Sequence, residues 1–271
     1  MSTNQQQLFN LFTNAKIYDL AHPIEAAMPV SPNHPGFKIA LQRRHGDMVR
    51  ADGGSAANEM IMIGGHTGTH IDALCHVSHN GQLHGGHDAY AAQQGGRFKI
   101  HDVASIPLMF CRGVWLDIPT LKGVEVLAPG TPITAADLNA ACQRQNVEVR
   151  AGDAVLIRSG WPVHWGDTHT FVGQEHGVPG PDESAAAWLI ERHIRLTGAE
   201  TIAYECIYPD RGHALLPVHR MLLVESGIHI IEVLNLTELA RAQVAEFLFV
   251  LTPLKIVGAT GVPVRPVAVV V

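Results

Sequence analysis

Cysteine is scarce in this 271-residue chain, and its four copies lie far apart. They form no CxxC pair, so neither a disulfide framework nor a zinc ribbon is expected; the positions are Cys75, Cys111, Cys142 and Cys206. Cys75 falls inside a histidine-rich segment, where we interpret it as a small packing residue. The scarcity of cysteine excludes a fold that depends on disulfides.

Basic residues and long apolar runs are also lacking. The chain has 19 Lys and Arg against 25 Asp and Glu, a net charge of −6, whereas nucleic acids and anionic membranes require a basic face. The most apolar late stretch, residues 244–257, contains Glu246, Pro253 and Lys255 and is too short to span a bilayer. The first 15 residues lack the features of a signal peptide. We therefore expect a cytoplasmic protein with no nucleic-acid or membrane partner.

Two common catalytic signatures are missing as well. Several glycine pairs occur, but none stands in a GxxxxGK[ST] or GxGxxG arrangement, so nucleotide binding is not expected. No GxSxG nucleophile elbow is present, because Arg158-Ser159-Gly160 lacks the first glycine. A Ser-His-Asp hydrolase stays open only as an alternative.

Histidine, by contrast, is abundant, with seventeen copies, of which seven lie between His66 and His101. His66, His70, Asp72 and His76 fall within eleven residues, and imidazole and carboxylate are usual ligands of zinc and related ions. In a strand all four side chains point to one face, and in a helix they form two i,i+4 pairs. Gly68 and two β-branched threonines favour a strand end and turn. The pattern predicts a metal site; the alternative is a solvated polar loop.

This segment resembles the His-x-Gly-Thr-His-x-Asp-x-Pro-x-His signature of the metal-dependent cyclase family, which includes bacterial kynurenine formamidase and isatin hydrolase. Every position matches except that Leu74 replaces the proline. The similarity continues at the opening, central and closing segments of the chain, at residues 19–23 with 28–30, 152–161 and 258–267. The resemblance implies a layered β/β/α swivelling architecture and a homodimer or homotetramer.

The same resemblance supplies roles for individual residues. It implies that His76 is a proton donor and acceptor, and that a late histidine and a late glutamate complete the metal site. The metal ligands are then His66, His70, Asp72, His219 and Glu232. Glu232 interrupts an apolar strand, where a buried carboxylate needs a cationic partner, although an edge position facing solvent is the alternative. For His219, its neighbour Arg220 favours an exposed position. The ion is expected to be Zn or Mn, with one or two per subunit.

Aromatic side chains in loops are candidates for substrate contacts. Trp161 follows a predicted strand, and Phe37 lies where the family has a pocket-lining loop. A packing role is the favoured alternative for each side chain taken alone. Their loop positions suggest a flat, small-molecule substrate.

The pattern of the remaining chain predicts an α+β fold with a mixed central sheet, in one domain over residues 1–271. Short β-branched runs predict strands at residues 38–41, 59–63, 114–118, 154–157, 201–204, 228–233 and 247–251. Helices are expected from Thr134 to about Gln145, from Asp182 or Ser184 to near Gly198, and from about Thr237.

These observations favour a metal-dependent hydrolase that opens a cyclic amide, imide or lactone, with water activated by the ion and His76 as general acid and base. An arylformamidase acting on N-formylkynurenine is the alternative enzyme, and a non-catalytic metal-binding sensor is the alternative of another class. The apolar end of the chain, residues 267–271, is predicted to be buried in a subunit interface or against the sheet.

Overall fold

The computed structural model describes residues 3–209 and 211–271, and its centre is a nine-stranded sheet. The strands are, in chain order, β1 (Lys16–Asp19), β2 (Lys38–Arg43), β3 (Asn58–Met62), β4 (His70–Asp72), β5 (Gln93–Gln94), β6 (Arg97–Phe98), β7 (Met109–Asp117), β8 (Pro132–Ile133), β9 (Ala154–Arg158), β10 (Gly180–Pro181), β11 (Leu196–Ala199), β12 (His229–Glu232), β13 (Glu246–Leu251), β14 (Gly261–Pro263) and β15 (Val267–Val270).

The α-helices of the described residues lie mostly between these strands. They are α1 (Thr3–Thr13), α2 (Ala89–Ala92), α3 (Ile118–Lys122), α4 (Ala135–Gln145), α5 (Thr168–Val172), α6 (Glu183–Glu191), α7 (Pro217–His219) and α8 (Thr237–Ala242). Helix α7 continues into a π-helical turn over Arg220–Glu225. None of the helices in the described ranges is long and apolar enough to cross a membrane.

The large sheet has the order β1-β15-β13-β7-β9-β11-β12-β4-β14. Strands β7, β9, β11 and β12 are parallel, and every other pairing is antiparallel. The predicted mixed central sheet is therefore confirmed. The signature strand β4 lies between β12 and β14, so residues far apart in sequence meet around it.

Both faces of the parallel strands are buried, because successive side chains alternate between two hydrophobic clusters. Trp115 and Ile231 belong to one cluster, whereas Leu116 and Ile230 belong to the other. Buried side chains of α4, α6 and the π-helical turn cover the second face. The sheet is consequently a fixed platform for the polar groups at its strand ends.

The helix starts follow the capping chemistry of the sequence. Thr134 accepts a hydrogen bond from the backbone N–H of Asp137, whose carboxylate accepts from the Thr134 N–H, so the predicted capping box is present. Asp182, rather than Ser184, caps α6 through the Ala185 N–H. Helix α8 begins at Thr237, as predicted.

The strand predicted at residues 201–204 is wrong, and the missing strand is β11 at Leu196–Ala199. Gly198 lies inside β11 instead of ending a helix. Glycine is needed there because a side chain would clash with Leu234 and Ile231 of the neighbouring segment. Thr201 and Tyr204 are buried in a turn, where burial rather than strand pairing explains their residue types.

Two apolar segments, strand β15 and the separate hairpin β2–β3, differ in how far they are buried. Strand β15 lies between β1 and β13 within the sheet, so the predicted burial holds for Ala268 and Val269, whereas Val271 is 70% exposed. The hairpin β2–β3 is exposed along both strands, including Ile39, Leu41 and Ile61. This hairpin connects the loop at residues 31–37 with the segment that contains His66.

Candidate metal centre

Strands β4 and β12 bring three ligand-type side chains together in the protein interior. His70 and Asp72 are two residues apart in β4 and so share a face, and Glu232 lies opposite His70 in the antiparallel register. Their exposed fractions are 2%, 0% and 6%, respectively. Buried charges of this kind need partners, which the neighbouring imidazoles provide.

The backbone sets the orientation of the His70 ring. Nδ1 donates a hydrogen bond to the Gly68 carbonyl at 2.8 Å, so Nε2 is left facing the carboxylates. Nε2 lies 3.3 Å from Glu232 Oε2 and 3.6 Å from Asp72 Oδ1. Burial acts to lower the pKa of His70, but the nearby carboxylate of Glu232, together with that of Asp72, raises the pKa to about 8.

His219 enters the cluster from the end of α7 and is only 3% exposed, so the exposed position suggested by Arg220 is wrong. Its Nε2 lies 3.1 Å from Glu232 Oε1 and 3.8 Å from Asp72 Oδ2. Its Nδ1 donates to Glu205 Oε1 at 2.7 Å. Burial lowers the pKa of His219, but Glu205 and Glu232 together raise it well above its ordinary value.

Glu205 contacts the cluster through His219, and the sequence did not predict it as a site residue. Its carboxylate accepts hydrogen bonds from the backbone N–H groups of Val218 and His219, at 3.2 and 2.9 Å, besides the one from the His219 ring. A carboxylate that holds the outer nitrogen of a histidine directs the other nitrogen toward a metal. No spacing rule connects Glu205 with a histidine fourteen residues later.

His66 and His76 form the outer part of the cluster and are half-buried. His66 Nδ1 hydrogen-bonds Asp72 Oδ1 at 2.8 Å, and Nε2 hydrogen-bonds Thr260 Oγ1 at 2.9 Å. The ring stacks on His76 with centroids 3.8 Å apart. Gly261 of β14 backs the His66 ring so closely that a side chain there would clash with it. Strand β14 therefore positions His66.

Two groups of donor atoms that could hold a divalent ion result from this arrangement, and they share Asp72. One group is His66, Asp72 and His76, and the other is Asp72, His219 and Glu232. Asp72 Oδ2 and His70 Nε2 are buried without a hydrogen-bond partner in the described residues, as expected for atoms that face a cation. The nitrogen and oxygen donors fit a divalent metal ion.

The electrostatics of the two groups are consistent with anionic ligands. Burial would raise the pKa of Asp72, but His76 first, and then His66 and His70, hold it far below its usual range. Burial likewise opposes the ionised form of Glu232, whereas the hydrogen bond from His219 and the nearby His70 ring lower its pKa. Both carboxylates are therefore charged at neutral pH.

The six residues predicted for chemistry thus lie in one cluster, but the two predicted substrate contacts differ. Trp161 is 0% exposed, donates its indole N–H to the Phe171 carbonyl at 3.0 Å and packs in an interior cluster. This burial argues against the predicted substrate contact. Phe37 is half-buried at the end of the 31–37 loop, and its contact with substrate stays a prediction.

His34 and Thr260 also contact the cluster without having been predicted as site residues. The His34 ring stacks on His66 with centroids 5.3 Å apart. Thr260 forms the hydrogen bond to His66 Nε2 described above. His34 and Thr260 are both distant from His66 in the sequence, so only the fold shows that they are close to it.

Comparison with known proteins decides the family. Residues 18–206 match the family model described as putative cyclase. The chain belongs to the cyclase family. Among relatives, the isatin hydrolase of Roseibium aggregatum is 26% identical over 229 residues, which are 81% of this chain and 77% of the relative.

Solved structures of cyclase-family proteins have the same fold. A crystal structure described as a novel cyclase matches with a TM-score of 0.84 and 28% identity, covering 99% of this chain and 91% of its own. Isatin hydrolase A from Ralstonia solanacearum matches with a TM-score of 0.77 and 25% identity, covering 100% and 98%. These similarities support an enzyme of the hydrolase class.

Proposed function

We propose that this protein is a metal-dependent hydrolase that opens a cyclic amide, imide or lactone and releases a carboxylate. The observation that supports the proposal most is the pair of donor groups that share Asp72, one of which includes His76. Similarity to isatin hydrolases adds support, because isatin is itself a cyclic amide.

The ion would be held by His66, His70, Asp72, His219 and Glu232. A divalent ion supplies Lewis-acid activation of a carbonyl and of water. Both Zn and Mn accept imidazole and carboxylate ligands. Since Asp72 belongs to both ligand groups, we propose that the site accommodates one or two ions.

His76 is proposed to be the general acid and base. Burial lowers the pKa of His76 to about 4, although the Asp72 carboxylate acts to raise it. A neutral imidazole at pH 7 can take a proton from the attacking water and deliver it to the leaving nitrogen or oxygen. Its half-buried ring stacks on His66, which keeps it beside the five proposed ligands.

A substrate panel tests the reaction class. Metal-replete protein would be assayed with isatin, a cyclic imide and the lactone 3,4-dihydrocoumarin, and with acyclic N-formylkynurenine. We expect faster turnover of the cyclic compounds, with no turnover by a His70→Ala variant. Preference for N-formylkynurenine would instead identify an arylformamidase, and failure of all four substrates would contradict both hydrolase proposals.

Metal analysis separates the enzyme from a non-catalytic sensor. Protein purified without chelators is expected to contain at least one equivalent of Zn or Mn per subunit. Less than about half an equivalent, together with no activity after metal addition, would favour the sensor, although the complete ligand set argues for catalysis.

We also propose a homodimer or homotetramer that acts on a small molecule in the cytoplasm. The exposed apolar side chains of β2 and β3 are the surface that most needs covering, because an isolated two-stranded hairpin is marginally stable. Light scattering after gel filtration measures the assembly, and a strictly monomeric mass would contradict it.

A further inference from the structure

One side of the ligand cluster is more open than the others. His70, Asp72, His219 and Glu232 are all buried. His76 is half-buried, and so is His34 beyond it. The side chain of His66, between them, is 8% exposed, the same as that of Glu232. A substrate that approaches from this side passes the edge formed by His34 and His76, next to His66.

His34 is the outermost ring of this edge. It stacks on His66 with centroids 5.3 Å apart and an interplanar angle of 30°. It belongs to neither ligand group. In the described parts of the chain its ring has no hydrogen-bond partner, and an imidazole offers an N–H donor in either protonation state.

The backbone around His34 is fixed relative to the signature segment. Its own N–H donates to the Ser31 carbonyl at 3.0 Å. The neighbouring Pro35 carbonyl accepts a hydrogen bond from Thr67 Oγ1 at 3.0 Å, and a side chain on Gly64 would lie 2.9 Å from the same carbonyl. The loop is thus tied to the residues next to His66, which preorganises the His34 ring.

We propose that His34 is a specificity-determining residue that donates a ring N–H to a second oxygen of the substrate, next to the scissile carbonyl. If the scissile carbonyl of a substrate points at the ligand groups, the atoms next to that carbonyl lie near His66 and His34. The favoured class is consequently a compact dicarbonyl, such as an imide or an α-keto amide. The inference rests on the proposed hydrolase function.

The physical reason for selectivity is that a donor placed for one oxygen rejects a compound that lacks it. Such sites discriminate more strongly than apolar pockets do, because the unmatched polar group loses its hydrogen bond on substrate binding. A role in packing alone would affect all substrates alike.

The test compares His34→Phe, which keeps a flat ring without the N–H, with His34→Gln, which keeps an N–H donor. The matched control is His176→Phe at an exposed histidine. The kcat/KM is measured for isatin, which has a second carbonyl, and for 3,4-dihydrocoumarin, which has one. We expect His34→Phe to lose about 10- to 100-fold on isatin but less than about threefold on dihydrocoumarin, with His34→Gln in between and bound metal unchanged.

A binding measurement keeps this outcome separate from failure of the hydrolase proposal. Calorimetry on metal-loaded protein compares phenylglyoxylate, which carries a ketone beside its carboxylate, with benzoate, which does not. We expect His34→Phe to weaken phenylglyoxylate about tenfold and to leave benzoate unchanged. The proposal would be overturned if His34→Phe affected isatin and dihydrocoumarin equally, affected phenylglyoxylate and benzoate equally, or lost its metal. The binding comparison applies even if the parent protein hydrolyses no cyclic substrate.

Discussion

The inner and outer halves of the ligand cluster differ in how their side chains are held. In the inner half, His70 is fixed by the Gly68 carbonyl and His219 by Glu205, and both rings are buried. In the outer half, His66 and His76 are half-buried and lean on each other. From this difference we expect that the inner residues, together with His66, hold an ion, whereas His76 and His34 at the outer edge meet substrate and exchange protons.

Removing an inner ligand should have the largest effect. His70→Ala deletes the ring whose Nε2 faces both Asp72 and Glu232, and it leaves two buried carboxylates without that partner. We expect loss of bound metal and of all measurable turnover, determined by elemental analysis and initial rates. Asp72→Ala and His66→Ala should do the same. Full metal content with a near-normal rate in any of these variants would refute the assignment of that residue.

Removing His76 tests whether proton transfer and metal binding depend on different residues of the cluster. His76→Ala should retain most of the metal but lose about 10²- to 10⁴-fold in turnover, the range typical of general acid–base catalysis. The measurements are metal content and kcat on the same preparation. If His76→Ala loses its metal as completely as His70→Ala, then His76 is a ligand and the general base lies elsewhere.

An effect of intermediate size is expected at Glu205, which does not face the ligand groups directly. Glu205→Ala removes the acceptor of the His219 Nδ1–H and of two backbone N–H groups. Metal affinity should fall about 10- to 100-fold, as is usual for carboxylates that orient a ligating histidine. Competition with a chelator measures the affinity. Glu205→Gln keeps an acceptor and should lose less, and the exposed Glu183→Gln provides the control; equal affinity in all three variants would disprove the role.

The sequence revealed the centre of this site more completely than its supports. The residues of the signature lie within a short segment, so their spacing alone brings His70 and Asp72 to one face of a strand. Glu205 contacts the ring of His219, which lies fourteen residues later at the end of α7. Its position next to residues 201–204, wrongly predicted as a strand, gave no sign of this role.

The fold shows the same division between local and long-range information. The capping box at Thr134 and the runs that form β9, β12 and β13 are local patterns, and the structure contains them. The insertion of β4 between β12 and β14 depends on pairings over more than 150 residues, which local patterns do not encode. Likewise, Trp161 reads as a loop aromatic in the sequence, and only the packing of Phe171 and its neighbours shows that it is buried.

The smallest predicted effect concerns a support of the outer half. Thr260→Val preserves the shape of the side chain but removes the hydrogen bond between Oγ1 and His66 Nε2. A neutral hydrogen bond of this kind contributes about 0.5–1.5 kcal/mol, which corresponds to about a 2- to 10-fold loss of metal affinity. Thr260→Ser keeps the hydroxyl and should bind metal as the parent does. Because Thr260→Val removes one hydrogen bond whereas Glu205→Ala removes three, Thr260→Val should cost less than Glu205→Ala. A larger loss at Thr260 than at Glu205 would mean that the outer half, rather than the buried one, controls metal binding.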